Sequence, residues 1–134
     1  MDPATMRQRV EEARVGRLAT VGPGAQPHLV PCCFVLSGDV LYSAVDAKPK
    51  VSRRLQRIRN LMANPSAALL IDHYQDDWSQ LWWVRVDGSA RVLSSGDEGA
   101  RALHLLAEKY AQYVREPRIG PVIAIDVTAW RAWP

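Results

Sequence analysis

Short strand-like runs, cut apart by turn signals, come in series rather than alternating with helices, and this most narrows what the chain can fold into. Gly22-Pro23-Gly24, Ser37-Gly38-Asp39, Asn64-Pro65, Gln75-Asp76-Asp77 and Gly120-Pro121 are the punctuation. Glycine reaches positive φ without penalty, and proline keeps the residue before it out of the helical region. Between these points lie Gly16 to Val21, His28 to Leu36, Val40 to Val45, Ala67 to Tyr74, Leu81 to Leu93 and Val122 to Trp130. Their β-branched and aromatic content reads as strands. Six strands joined by short turns predict a mainly β fold, an antiparallel barrel or strongly bent sheet with peripheral α-helices. Gly88, inside the longest run, marks a bulge or a close backbone approach.

Two helices flank the strands. Thr5 to Arg14 carries Met6, Val10 and Ala13 on one side of an otherwise polar stretch. Ser95 and Glu98 are spaced as a capping box, ahead of a stripe of Ala100, Leu103, Leu106, Ala107, Tyr110 and Val114 that is expected to cover the sheet. With no repeat and no long linker, residues 1–134 read as one domain. An apolar share of 48% with 23% charged residues suits a soluble globular protein. No run is long enough for a membrane span, and the first residues lack a signal-peptide core. Cys32 and Cys33 are adjacent and would point to opposite strand faces, so neither a disulfide nor a redox pair is expected, and a cytoplasmic setting follows.

The residues from Lys48 to Asn60 hold six cations and no acid, against a whole-chain net charge of +3, so the remainder carries a net −3. On a helix, Lys50, Arg53, Arg54 and Arg57 share a face, and Val51, Leu55, Ile58 and Met62 form a second stripe about 120° away. Such a face is either solvated or grips phosphates and carboxylates through charge-assisted hydrogen bonds. Concentrated charge favours a compact anionic ligand over a nucleic acid, whose partners spread basic residues over a wide face.

Other chemistry is missing. There is no dinucleotide or P-loop fingerprint and no nucleophile elbow, and His28, His73 and His104 are too scattered to suggest a metal site. An enzyme built on this chain needs a bound cofactor to bring its reactivity.

The order of features resembles the pyridoxamine 5'-phosphate oxidase-like split β-barrel family. Gly16-Arg17-Leu18-Ala19-Thr20 opens the barrel, Pro27-His28-Leu29-Val30-Pro31 follows, and a third strand runs into Arg57-Ile58-Arg59-Asn60-Leu61. Asn64-Pro65 and Trp83-Val84-Arg85-Val86-Asp87-Gly88-Ser89-Ala90 complete the series. Within the family the chain looks most similar to the branch that uses the deazaflavin coenzyme F-420. The resemblance implies an FMN-binding-like split barrel and a homodimer with cofactors in grooves between protomers. It assigns the cofactor phosphate to Ser43, Ala44 and Val45 and to Lys48, Lys50, Arg54, Arg57, Arg59 and Asn60, with Thr20 and Pro31 to Cys33 beneath the ring system. Arg57 stands where many relatives have lysine.

Coenzyme F-420 carries a phosphodiester, a carboxylate and a glutamate tail, so the cation count favours it over FMN, the alternative. The expected activity is hydride transfer to an electron-poor small molecule, with solvent, Tyr74 or His73 as the proton source. Non-catalytic carriage of a cofactor or tetrapyrrole remains an alternative, and neither nucleic acid nor membrane is an expected partner. Trp78 and Tyr74 are candidates for the substrate pocket. Of Trp82 and Trp83, one is expected in the core and the other in the dimer contact, while Trp130 and Trp133 pack the terminus down.

Overall fold

The computed structural model describes residues 1–44, 51–117 and 120–134, with the side chains of all but residues 51–55. Helix α1 (Pro3–Glu12) leads into β1 (Gly16–Val21), β2 (Pro27–Cys32), β3 (Val35–Ser37) and β4 (Val40–Ala44). Helix α2 (Val51–Ala63) is followed by β5 (Ser66–His73) and β6 (Trp82–Leu93). Helices α3 (Asp97–Lys109) and α4 (Ala111–Arg115) precede β7 (Val122–Trp133). The seven strands form one antiparallel sheet in the order β2-β1-β5-β6-β7-β4-β3.

That order explains the barrel. The two edge strands, β2 and β3, are separated in sequence only by Cys33 and Phe34. Extended chain covers at most about 3.6 Å per residue, so the edges meet within roughly 11 Å and the sheet must curl round on itself. The run from His28 to Leu36, expected as one strand, is therefore two, and seven strands replace the six expected. Phe34, at the bend, is buried in the barrel core.

Alternation fills that core: Leu18 from β1, Leu69 and Ile71 from β5, Val84 and Val86 from β6, and Ile123 and Ile125 from β7. In the β6–β7 ladder Gly88 lies opposite Val127 while Asp87 lies opposite Ala129, leaving Thr128 as the extra residue of a bulge. The bulge switches β7 from odd to even positions facing inward, so Val127 and Trp130 both pack against the core. A Cβ on Gly88 would overlap the Asp126 carbonyl oxygen and lie 2.6 Å from Ile125 Cγ2, which is why the bulge needs glycine there.

The helices differ in detail from the sequence-based expectations. Helix α1 is capped by Asp2, whose Oδ1 accepts from Thr5 N at 2.7 Å, and it seats Val10 in the core. In α2 the inward face is Ile58 and Leu61 with Asn60, whereas Met62, expected on the buried stripe, is 75% exposed. Val51 and Leu55 of that stripe lie outside the described side chains.

Ser95 does not cap α3. The N-cap is Gly96 at φ 103°, and the Glu98 carboxylate instead accepts from Arg91 at 2.8 and 2.9 Å and from Tyr42 at 2.8 Å. Gly99, Ala102 and Leu106 form the buried stripe of α3, with small residues where the helix crosses the sheet; Ala100 is exposed. Tyr110 leaves helical geometry at φ −120°, ψ 110°, so Val114 falls on a separate helix and is exposed. Because α3 covers the outside of β4 and β7, Tyr42, Val122 and Ala124 are buried there too.

Candidate functional site

A cavity of about 380 Å3 opens where β2 ends, lined by Pro31, Cys32 and Cys33, by Ala44 at the end of β4, by Arg57 of α2 and by Tyr110. Its remaining walls, Val15, Gln112 and Tyr113, add no acid. The bend that forms it is held from two sides. Ser43 Oγ donates to the Cys33 carbonyl at 2.8 Å. The Tyr110 hydroxyl accepts from Phe34 N at 3.1 Å and shares its proton between the carbonyls of Arg14 at 3.0 Å and Phe34 at 3.1 Å.

Two cationic nitrogens at this bend are buried and find no hydrogen-bond partner among the described residues: Arg57 Nε and Lys109 Nζ. Lys109 Nζ lies 3.9 Å from the centre of the Phe34 ring and 5.3 Å from that of Tyr110. Burial, and next the Arg14 charge, lower its pKa to about 8, with Cys33 and Cys32 pulling the other way. Burial also pushes Tyr110 up to about 12, and raises the Cys32 thiol against the opposing Ser43 hydrogen bond and Arg57 charge. Near neutral pH Cys32 is therefore a thiol rather than a nucleophilic thiolate. Arg57 lines the cavity with its buried Nε short of a hydrogen-bond partner among the described residues, a cost that an anion seated there would offset, and on this ground the cavity fits the phosphate of a cofactor.

The residues assigned by sequence do not all meet here. Pro31, Cys32, Ala44 and Arg57 line the cavity, and Ser43 braces it. Val45, Lys48 and Lys50 lie outside the described residues, as does the Arg54 side chain. Thr20 and Asn60 are buried together, Asn60 Nδ2 donating to Thr20 Oγ1 at 3.2 Å. In the β1–β2 ladder Thr20 pairs with His28, whereas Cys32 pairs with Gly16, which puts Thr20 about 13 Å along the strand from Cys32. Arg59 projects about 160° around α2 from Arg57 and lines, with Asn60, a separate cavity.

Tyr74 and Trp78 stand 67% and 69% exposed on the loop before β6, with Trp78 Nε1 3.4 Å from Tyr74 OH. His73 is engaged by Gln75 at 2.8 Å and stacks on Trp82 at 5.9 Å. Trp82 also packs under Arg9 at 4.4 Å and against the core, while Trp83 helps line a depression of about 440 Å3 on the outer sheet face.

Lys109 was not singled out from sequence, yet it had a signal. It lies seven residues after Ala102 and three after Leu106, so it continues the buried stripe with a cation. Among the described residues no three His, Cys, Asp or Glu side chains gather as metal ligands, and no helix is long and apolar enough to cross a membrane. Among the described residues that line the cavity, no His, Asp or Glu stands beside Cys32 or Cys33.

The fold is shared with solved structures at low sequence identity. A conserved hypothetical protein, Rv2991 of Mycobacterium tuberculosis, superposes with a TM-score of 0.81 at 22% identity, over 99% of this chain and 84% of that one. HutZ, the heme storage protein of Vibrio cholerae, gives 0.74 at 13% identity over 98% and 92%. A FAD-binding protein of Mesorhizobium loti gives 0.65 at 20% identity over 98% and 94%. No curated protein matches the sequence. The family model for pyridoxamine 5'-phosphate oxidase, however, matches residues 3–134. The curled sheet, its closure at Cys33-Phe34 and this match over nearly the whole length together make the chain a member of the pyridoxamine 5'-phosphate oxidase family.

Proposed function

We propose that the protein is an oxidoreductase that seats a phosphate-bearing deazaflavin, coenzyme F-420 ahead of FMN, and serves hydride transfer to an electron-poor small molecule. The observation that carries this reading is Arg57 Nε, buried without a hydrogen-bond partner among the described residues, at a cavity beside the end of β4 whose described walls carry no acid, with Lys109 Nζ over the Tyr110 ring that lines it. Five cations from Lys48 to Arg57 exceed what one phosphate needs, which favours the more highly charged coenzyme F-420. Bound, that group supplies the hydride. The part of the chain is to grip the anionic end with Arg57, and to keep water out with the apolar wall of Pro31, Ala44 and Tyr110.

The proposed unit is a homodimer. The outer face of β2, β1, β5 and β6 presents Leu29, which is 67% exposed, next to Leu70, Ala19 and Trp83, with Arg17, Asp72 and Arg85 at the rim. An apolar patch with a polar border suits self-association.

Titration of the protein with coenzyme F-420 and with FMN, followed by tryptophan fluorescence, tests the reading. Saturable binding of coenzyme F-420, tighter than FMN and weakened about 10-fold to 100-fold by Arg57→Gln, is expected from loss of a charge-assisted contact. Binding of neither, or equal affinity in the variant, overturns it. A second reading, a non-catalytic tetrapyrrole carrier, is favoured by the similarity to the heme storage protein. Hemin in the same titration, binding where coenzyme F-420 does not, would select it.

A further inference from the structure

A cavity of about 570 Å3 lies between the turn after β1 and the C-terminal half of α2, on the face of α2 turned away from Arg57. Val21, Pro23 and Ala63 give it apolar walls. Its polar groups are Gln56, Arg59, Asn60 and Asn64, with no carboxylate among the lining residues. Hydrogen bonds fix the amides: Gln56 Nε2 donates to Asn60 Oδ1 at 2.8 Å, and Asn64 Oδ1 accepts from Ser66 N at 3.1 Å. The Asn64 amide nitrogen keeps its donors, and Arg59 finds no ion pair or hydrogen bond among the described residues. Donors therefore outnumber acceptors in the cavity.

The opposite wall is a turn. Gly22 N donates to Gln26 O at 2.7 Å, and Gly24 and Ala25 hold left-handed conformations at φ 67° and 61°. Alanine rarely adopts that conformation. A Cβ on Gly22 would come within 3.2 Å of the Gln26 carbonyl oxygen across the turn, and it would be in ordinary contact with Asn60 Oδ1 of α2 at 3.6 Å.

We propose that this cavity is a second ligand site, separate from the Arg57 cavity, for a small carboxylate carried on an apolar body. One guanidinium with neutral amide donors matches a single planar anion better than a doubly charged phosphate, and the volume is that of a small-ligand pocket. Because Arg57 and Arg59 point to opposite sides of α2, one anionic group cannot be held by both. The proposal does not depend on which cofactor the other cavity takes.

Amide NMR spectra of the full chain, titrated with benzoate and with uncharged benzyl alcohol, test it. Saturable shifts with benzoate at Gly22, Ala25, Arg59 and Ala63 are expected, at least about fivefold weaker with benzyl alcohol. Arg59→Gln should weaken benzoate binding by about fivefold or more, as a charge-assisted contact is lost. Ala63→Trp, which fills the cavity from an exposed helix position, should abolish the shifts while the remaining spectrum reports an intact fold. Arg57→Gln should leave them unchanged. No saturation up to about 10 mM benzoate, a value far above useful affinity, overturns the proposal. So do shifts confined to Pro31 through Ala44, or full benzoate binding by the folded Ala63→Trp variant.

Discussion

At the scale of the residue, the bend between β2 and β3 depends on Tyr110 and Lys109. The Tyr110 hydroxyl serves three backbone groups at once, two on Phe34 and one on Arg14. Tyr110→Phe leaves a buried N–H and carbonyls short of partners and should cost about 1–3 kcal/mol in urea denaturation, with the fold retained. Lys109 acts in the opposite sense. Its amine is charged more readily in the unfolded chain, where its pKa is near the ordinary 10.5, than in the folded one, where it is about 8. The folded state is therefore penalised fully below pH 8, and the penalty fades as pH rises toward 10.5. Lys109→Met should raise the melting temperature at pH 7, with a gain that shrinks by pH 10, and should weaken phosphate-bearing ligands. A melting temperature unchanged or lowered at pH 7 would show that Lys109 is not held at a cost. Lys109 escaped the sequence reading because a cation near a helix C-terminus is ordinarily a solvated, dipole-matched residue. Its spacing from Ala102 and Leu106 becomes a signal once those residues are known to face the sheet.

At the scale of the element, α2 and α3 show what periodicity can and cannot deliver. The existence of α2 and the cationic character of its surface were legible from spacing, but which cation turns inward was not. Counting from Lys50 placed Arg57 on a cationic face offered to solvent or to an anion; the burial of Ile58, Asn60 and Leu61 turns Arg57 toward the cavity and sends Arg59 to the other side. For α3, the Ser95 and Glu98 spacing suggested a cap, yet a stronger partner won the carboxylate. Arg91 grips Glu98 bidentately and also reaches Asp126 at 2.7 and 3.0 Å, tying α3 to β6 and β7. These contacts with Arg91, and then the Tyr42 hydroxyl, hold the Glu98 carboxyl at about 2, below its ordinary 4.5. A depressed folded-state pKa contributes stability that is present above pH 4.5 and lost as pH falls toward 2. Glu98→Gln should therefore flatten the acid side of the stability profile between those limits. Thermal melts at half-unit steps would read this directly, and a profile parallel to that of the parent chain would mean the staple carries no net stability.

At the scale of the whole molecule, local pairings were readable and distant ones were not. The hairpins β1–β2, β3–β4 and β5–β6 follow from short turns, but nothing in the sequence places β5 beside β1, or β7 beside β6 and β4. Those pairings follow from closure, since a sheet whose edges are joined by two residues has to find neighbours for every inner strand. Closure also leaves one outer face uncovered by helix, where Leu29, Leu70 and Trp83 lie among Arg17, Asp72 and Arg85, with Arg17 and Asp72 paired at 3.5 Å. The proposed homodimer would bury this face, and Leu29 provides the cleanest test because it is already exposed in the single chain and contributes nothing to the core. Leu29→Asp should leave the melting temperature of the monomer nearly unchanged, as surface substitutions usually fall within about 0.5 kcal/mol. In a dimer the same change would bury an unpaired carboxylate twice across a two-fold interface, a penalty of several kcal/mol. Sedimentation velocity should then show a concentration-dependent dimer for the parent chain and a monomer for the variant. A parent chain that sediments as a monomer, or a variant that still dimerises with equal affinity, would assign the open face to something other than a second copy.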